Sequence, residues 1–240
     1  MMKFFDMDSP LMQGLGKMAD LLWLNVLTLI CCIPIVTIGA SFTAMNYMAL
    51  KMARNEECYI TRGFFKSFRE NFKQATLIWL LLFLVFLILA GDFLIIRSSG
   101  LEFHMIFQAV LMAVSFLVLC TFMFVFPVLA KFENTVRRTI KNAFLMSIMQ
   151  FPKTILMIIL YAIPPLVFIF FMQAAPISLL FGLSVPAWLS AKLYNRFFQK
   201  LEDQINAAGG HAQDAEETGE DERIFRDELD ESLVGDTEIQ

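Results

Sequence analysis

Four long apolar segments constrain the fold of this chain more than any other feature of its sequence. A helix needs about 20 apolar residues to cover the roughly 30 Å of hydrocarbon in a bilayer. Four segments reach that length, at residues 75–96, 103–130, 154–172 and 177–197. Because only helices and closed barrels satisfy backbone polar groups in lipid, these segments predict an all-α, polytopic helical membrane protein.

A fifth apolar segment covers residues 18–52 and is too long for one upright span. As a straight helix it would extend about 52 Å. Pro34 interrupts it, because a proline inside a helix removes a backbone hydrogen bond and clashes with the preceding turn. We predict a span over about residues 18–38, a kink, and a continuation over residues 40–52 that slants out of the bilayer. This gives about five transmembrane helices with a Pro-broken first helix; a separate membrane segment at residues 40–52 is the alternative.

Charge divides the chain into two parts of opposite sign. Residues 1–201 contain 17 Lys and Arg against 9 Asp and Glu, a balance of +8, whereas residues 202–240 contain 2 against 14, a balance of −12. The second part has few apolar residues and cannot bury enough surface to fold alone. We therefore predict a helical membrane domain over residues 1–201 and an acidic, disordered cytoplasmic tail over residues 202–240.

Basic residues around the predicted spans favour one orientation in the membrane. Fourteen of the Lys and Arg in the membrane domain lie in two long loops and around the end of the last span, whereas only Lys3, Lys17 and Arg97 lie on the other side. Cytoplasmic loops usually carry the excess of Lys and Arg. The sequence therefore predicts a multi-pass protein of the cell membrane, with its N-terminus outside and its C-terminus in the cytoplasm.

Each of the two basic loops has the periodicity of an amphipathic helix. Apolar side chains recur on one face and basic side chains on the other, which is typical of a helix that lies on an anionic inner leaflet. The alternative is that these helices dock a cytoplasmic protein. The candidate docking or lipid face consists of Phe64, Phe65, Phe68, Phe72, Arg62, Lys66, Arg69, Lys73, Arg137, Arg138 and Lys141.

Few polar residues lie inside the predicted spans, and ionisable residues there are functional candidates by default. Asp20 lies at the outer end of the first predicted span, and Asp92 lies late in the second, close enough to Arg97 to pair with it. One interpretation is that these are interface residues satisfied by water or by one another. The functional alternative is a polar pocket at the outer face, formed by Asp20, Asn25, Asp92 and Arg97.

No residue pattern in the chain is typical of catalysis or of metal binding. The sequence has no nucleophile beside a base, no paired carboxylates, no phosphate-binding loop and no metal-ligand spacing. We therefore expect no enzymatic activity, no cofactor and no metal site. We expect the lipid bilayer to be a partner, and nucleic acid not to be one.

Four short motifs near the N-terminus carry a family resemblance. They are D-S-P at residues 8–10, L-W-L-N at 22–25, P-I-V-T-I-G-A at 34–40 and F-x-x-N-F-K-Q-A-T at 68–76. Together they make residues 1–200 resemble the YesL family of bacterial membrane proteins. Members of that family are mostly uncharacterised, typically come from Gram-positive bacteria, and are often encoded beside carbohydrate ABC importers and their sensor kinases.

The resemblance implies a role but no catalytic residues. We expect a non-enzymatic accessory or regulatory component linked to ABC-type carbohydrate uptake, with importer subunits or a sensor kinase as possible partners. Two alternatives remain open. One is a transporter with its own substrate path, and the other is a membrane scaffold that acts through its cytoplasmic loops and tail.

Overall fold

The computed structural model describes residues 10–56, 59–98, 105–132, 134–171, 173 and 175–218, which form helices joined by turns and short irregular connections. The eight α-helices in this part of the chain are α1 (Pro10–Cys31), α2 (Ile38–Ala53), α3 (Ile60–Ser98), α4 (Met105–Lys131), α5 (Val136–Met149), α6 (Phe151–Phe170), α7 (Ala175–Phe181) and α8 (Ser184–Thr218). The prediction of an all-α fold is therefore confirmed over the residues described.

Several of these helices are long and apolar enough to cross a membrane. Four qualify individually, at Gly14–Cys31, Ile60–Ile96, Met105–Lys131 and Phe151–Phe170. The pair Ala175–Phe181 and Ser184–Gln204, bent by 48° between its members, is a fifth candidate if the two cross as one span. Within the described ranges, the prediction of a polytopic helical membrane protein is confirmed, with four or five spans.

The chain divides into two compact units, residues 1–195 and residues 196–240. The second unit contains the predicted acidic tail. The first part of that tail, residues 202–218, is helical in the structure as part of α8. Its Ala, Gln and Glu residues are good helix formers. Residues 219–240, the remainder of the predicted tail, lie outside the described residues.

Pro34 breaks the first apolar segment, as the sequence predicts, and the break separates two helices. Helix α1 ends at Cys31, a short 3-10 turn covers Ile35–Thr37, and α2 begins at Ile38. The Thr37 hydroxyl donates hydrogen bonds to the carbonyl oxygens of Cys31 and Pro34, at 2.6 Å and 2.8 Å. These bonds hold the turn together where the helical hydrogen-bond ladder is interrupted.

Two hydrogen bonds join α1 to the turn after α2 and to the start of α3. Lys17 Nζ donates to Asn55 Oδ1 at 2.8 Å, and Trp23 Nε1 donates to Thr61 Oγ1 at 2.8 Å. Helices α1 and α2 therefore form an antiparallel hairpin, and the predicted continuation that slants out of the bilayer is wrong. The predicted placement of Lys17 and the loop after α2 on opposite sides of the membrane is also wrong, because a hairpin returns the chain to its starting side.

Helix α2 packs closely on the first half of α3, because each helix has a glycine at the contact. A Cβ on Gly39 would lie 2.5 Å from the Ala75 carbonyl oxygen and 2.6 Å from Trp79 Cβ, and a Cβ on Gly63 would lie 2.6 Å from Met48 Sδ. Small residues allow this close approach between helices in membranes. Eleven of the 16 residues of α2 are buried, so this helix belongs to the core of its unit.

Replacement of Gly39 by leucine tests this contact. We expect Gly39→Leu to lower the free energy of unfolding by about 1–3 kcal/mol, because the new side chain meets the backbone of α3, which cannot move aside. Gly91→Leu is the matched control, since a Cβ at Gly91 meets no atom within 4 Å. Thermal unfolding of the detergent-solubilised variants, followed by circular dichroism, measures the effect. Equal unfolding midpoints for the two variants would contradict the packing.

Candidate functional site

Helix α3 is longer than a bilayer is thick, and its two halves differ in character. Its 39 residues extend about 58 Å, against roughly 30 Å of hydrocarbon. Basic side chains are exposed over residues 60–74, whereas the large exposed side chains from Leu77 to Ile95 are apolar. The second half is therefore suited to cross the membrane, and the first half extends beyond it. One continuous helix therefore joins the first basic loop to the second predicted span.

Four exposed cations share one side of the first half of α3. They recur at spacings of three or four residues, which places them on neighbouring turns. They are Arg62, Lys66, Arg69 and Lys73, and we call them the basic face. Over the residues that the structure describes, no acidic side chain pairs with any of them. Glu70 lies on neighbouring turns of the same face, and Asp20 lines the same cleft as Arg62, so the basic face is an exposed surface with an excess of positive charge.

The apolar side of the same helix does not lie on lipid as a whole, contrary to the prediction. Phe64 is completely buried where α3 packs on α2, while Phe65 remains 48% exposed. Phe68 and Phe72 are half-buried and continue the row, with ring centroids 6.2 Å apart from Phe64 to Phe68 and 5.5 Å apart from Phe68 to Phe72. The physical reason is that α2 packs closely on this half of α3 and takes part of its apolar side out of contact with lipid.

A cleft of about 740 Å³ opens between the start of α1 and the start of α3. Its lining residues are Ala19, Asp20, Trp23, Tyr59, Ile60, Thr61 and Arg62. Asp20 and Arg62 were assigned to different predicted sites, and the hairpin brings both to this cleft. The bond between Trp23 and Thr61 joins its two walls, and Tyr59 is 84% exposed at its edge. We call this the α1–α3 cleft.

The predicted outer polar pocket is not formed as one cluster. Asp20 and Arg62 both line the α1–α3 cleft. Asp92 follows Arg62 by 30 residues in α3, which is about 45 Å of helix. Arg97 follows Asp92 near the end of α3, and its side chain lies outside the described part of the chain. The prediction failed because it assumed that the first span begins, at Asp20, on the side opposite to the basic loop.

Asn25, the fourth member of that predicted pocket, connects α1 to the start of α8. Its side chain is completely buried. Its amide nitrogen donates to the Leu179 carbonyl oxygen at 2.6 Å, and its amide oxygen accepts from the backbone N–H groups of Leu183 and Ser184, at 3.1 Å and 3.2 Å. Asn25 therefore satisfies backbone groups left open where α7 ends and α8 begins. This role is structural.

The second basic segment forms α5, whose buried side contains Thr139 and Ala143. Arg137, Arg138 and Lys141 are exposed, as the sequence predicts for basic residues of an amphipathic helix. The position of the segment relative to α3 is set partly by Gln74. Its amide nitrogen donates to the Asn134 carbonyl oxygen and lies 3.4 Å from Thr139 Oγ1.

Side chains that bind metals or act as nucleophiles do not cluster in the described ranges. No group of three or more His, Cys, Asp or Glu there could hold a metal ion. Cys31, Cys32 and Cys120 are free thiols. Trp23, Tyr59 and Thr61, which line the α1–α3 cleft, were not predicted as site residues. Trp23 belongs to the L-W-L-N motif, so the sequence contains one signal for it. Its hydrogen-bond partner Thr61 could be found only from the structure, in which α2 reverses the chain.

The fold and this surface define the class of the protein: it is a polytopic helical membrane protein whose third helix carries a basic face beyond the membrane-crossing part. Residues 20–93 match the family described as Protein of unknown function, DUF624. The matched region contains the second half of α1, all of α2 and most of α3, and therefore the basic face and every lining residue of the α1–α3 cleft except Ala19. No curated protein and no solved structure matches the chain.

Loss of the Asn25 side-chain amide should weaken the connection between α1 and α8. We expect Asn25→Leu to lower the free energy of unfolding by about 1–3 kcal/mol, because two buried backbone N–H groups lose their acceptor. Hydrogen exchange at Leu183 and Ser184 should become faster, which mass spectrometry detects. Thr28→Val is the control, since that buried hydroxyl donates only to Leu24 in its own helix. Unchanged exchange at both amides in Asn25→Leu would contradict the assignment.

Proposed function

We propose that this protein is a non-enzymatic accessory or regulatory membrane component that binds another protein through the basic face of α3. The main support for the proposal is that the apolar side of this helix is partly buried within the protein, whereas its basic side is exposed. Phe64 is buried within the protein, so only part of the apolar side, with Phe65 exposed and Phe68 and Phe72 half-buried, is left for contact with lipid. The basic face remains exposed, and it is complementary to an acidic surface.

The kind of partner is suggested by the motifs in the matched region. Three of the four motifs that resemble the YesL family, at residues 22–25, 34–40 and 68–76, fall within the DUF624 match over residues 20–93. The resemblance supports a partner among the subunits of a carbohydrate ABC importer or its sensor kinase. The third of these motifs contains Arg69 and Lys73, two members of the basic face.

We also propose that the basic face lies on the cytoplasmic side of the cell membrane. The excess of Lys and Arg in the loops supports this placement. Two contacts indicate which other parts share that side. Lys17 donates to Asn55, and Arg54 Nε donates to Asn195 Oδ1 at 2.8 Å. The first turns of α1 and the end of the first unit in α8 therefore lie on the side of the basic face.

Co-purification tests the accessory function. The test variant is Lys66→Gln/Lys73→Gln, and the control is Arg196→Gln/Lys200→Gln, which removes two exposed charges outside the basic face. After mild crosslinking in native membranes, affinity purification and quantitative mass spectrometry measure the recovery of importer subunits and sensor kinase. We expect recovery to fall about fivefold or more in the test variant only, because two ion pairs at an interface are lost.

Two outcomes would contradict the accessory proposal. In one, the unaltered protein recovers neither an importer subunit nor a sensor kinase above the level of an unrelated membrane protein. In the other, the test variant and the control recover the partner equally well. A loss that occurs equally in both variants also argues against the basic face, since it reflects total charge and not position.

A transporter with its own substrate path is the second candidate, and buried polar atoms favour it. Within the described part of the chain, Asn46 Oδ1, Ser184 Oγ and Ser190 Oγ are buried without a hydrogen-bond partner. Such atoms are costly in an apolar interior, and they are common where a polar substrate or water passes through a membrane protein.

Reconstitution separates this candidate from the accessory function. If the protein is a transporter, proteoliposomes should take up radiolabelled glucose or maltose faster than empty vesicles, and Ser190→Ala should reduce the rate at least severalfold. Thr43→Val is the control, because its buried hydroxyl is already satisfied by the Gly39 carbonyl oxygen at 2.8 Å. Uptake equal to that of empty vesicles would contradict this candidate and leave the accessory function unaffected.

A further inference from the structure

A second cleft, of about 540 Å³, lies between α3, α4 and α5 and has no role in the proposed function. Its walls include Leu82 and Val85 of α3 and Val114 and Leu117 of α4. This volume is within the range of sites that hold small organic molecules. The walls belong to the apolar halves of α3 and α4, which have the composition of membrane spans. The surroundings of this cleft therefore resemble lipid more than water.

Two cations from α5 stand at the edge of this cleft. Among the described residues that line it, Arg137 and Lys141 are the charged ones. They are four residues apart and so lie on the same side of α5. Both are exposed, and no acidic residue in the described ranges pairs with either. The cleft thus combines an aliphatic wall with two positive charges.

The position of the cleft along the helices corresponds to the edge of a bilayer. From Thr121, which also lines the cleft, to Met105 at the start of α4 is 16 residues, or about 24 Å of helix. From Leu82 to Ile96 on α3 is 14 residues, or about 21 Å. If these stretches cross most of the roughly 30 Å of hydrocarbon, the cations of α5 can extend to the depth where lipid headgroups begin.

We propose that this cleft binds one anionic glycerophospholipid. An acyl chain lies against Leu82, Val85, Val114 and Leu117, and the phosphate contacts Arg137 and Lys141. Charge complementarity selects this occupant. A hydrocarbon chain without a charged headgroup leaves two cations uncompensated beside lipid, and a soluble anion makes no use of the aliphatic wall. A zwitterionic lipid brings its own ammonium group close to the same cations.

The proposed lipid adds to the contacts by which α5 already packs on α4 and is joined to α3. Helix α5 is amphipathic, and one of its sides faces an open cleft instead of a neighbouring helix. A bound lipid fills this space and joins α5 to α3 and α4. The amount of anionic lipid in the membrane then affects how firmly the second basic segment is held.

Native mass spectrometry of the purified full-length protein tests the proposal. The probes are dioleoylphosphatidylglycerol and dioleoylphosphatidylcholine, added separately at matched concentrations in detergent. We expect the dissociation constant for the anionic lipid to be at least tenfold lower. In Arg137→Gln/Lys141→Gln we expect it to rise about 30-fold, to near the value for the zwitterionic lipid, because two headgroup contacts are lost. The control Arg196→Gln/Lys200→Gln removes two exposed charges outside both the cleft and the basic face and should leave it unchanged.

A third variant tests the acyl-chain part of the site with both cations intact. Val114→Trp places a large ring in the cleft and should weaken binding of the anionic lipid at least tenfold. Equal affinity for the two lipids, equal weakening by the charge variant and its control, or full binding by Val114→Trp would each overturn the proposal. Thermal unfolding of every variant verifies that it is folded, and the control and Val114→Trp give an answer even if Arg137→Gln/Lys141→Gln unfolds.

Discussion

The close contact between α2 and α3 is the interaction on which the rest of the membrane unit depends. At Gly39 and Gly63 there is no room for a larger side chain, because Ala75, Trp79 and Met48 occupy the opposite side. Lipid tails are as apolar as the side chains of these helices, so close packing, and not exclusion from water, holds helices together in a bilayer. The orientation of α3 is therefore set by α2 instead of by the membrane surface.

Three other features follow from that orientation. Because α2 covers the side of α3 that contains Phe64, the basic face turns away from the protein and toward water. Because α2 ends beside the start of α1, Asp20 and Arg62 line the same cleft. Helix α5 is joined to α3 through Gln74, so the second basic segment also takes its position from this helix. The functional surfaces are thus arranged by internal packing.

The sequence was sufficient to predict features that depend only on residues close together in the chain. Apolar length predicted the membrane helices, and Pro34 predicted the break, because helical hydrogen bonds connect residues only four apart. What each face of a helix contacts, lipid or another helix, could not be predicted in this way. The stripe with Phe64 has the same periodicity whether it meets lipid or another helix. The direction of the chain after Pro34 depends on glycine contacts with α3, so Asp20 was assigned to the side of Asp92, where the structure does not place it.

The three hydrogen bonds of Asn25 have a consequence for how the protein is made. Their partners lie 154 to 159 residues later in the chain. At about 5–20 residues per second, the ribosome needs about 8–30 s to synthesise that distance. During this time the amide of α1 has none of its final partners, although the helix that carries it is already complete. The connection between α1 and the start of α8 can therefore form only after the last helices of the membrane unit are made, and a chain stalled before residue 184 lacks at least one of its three bonds.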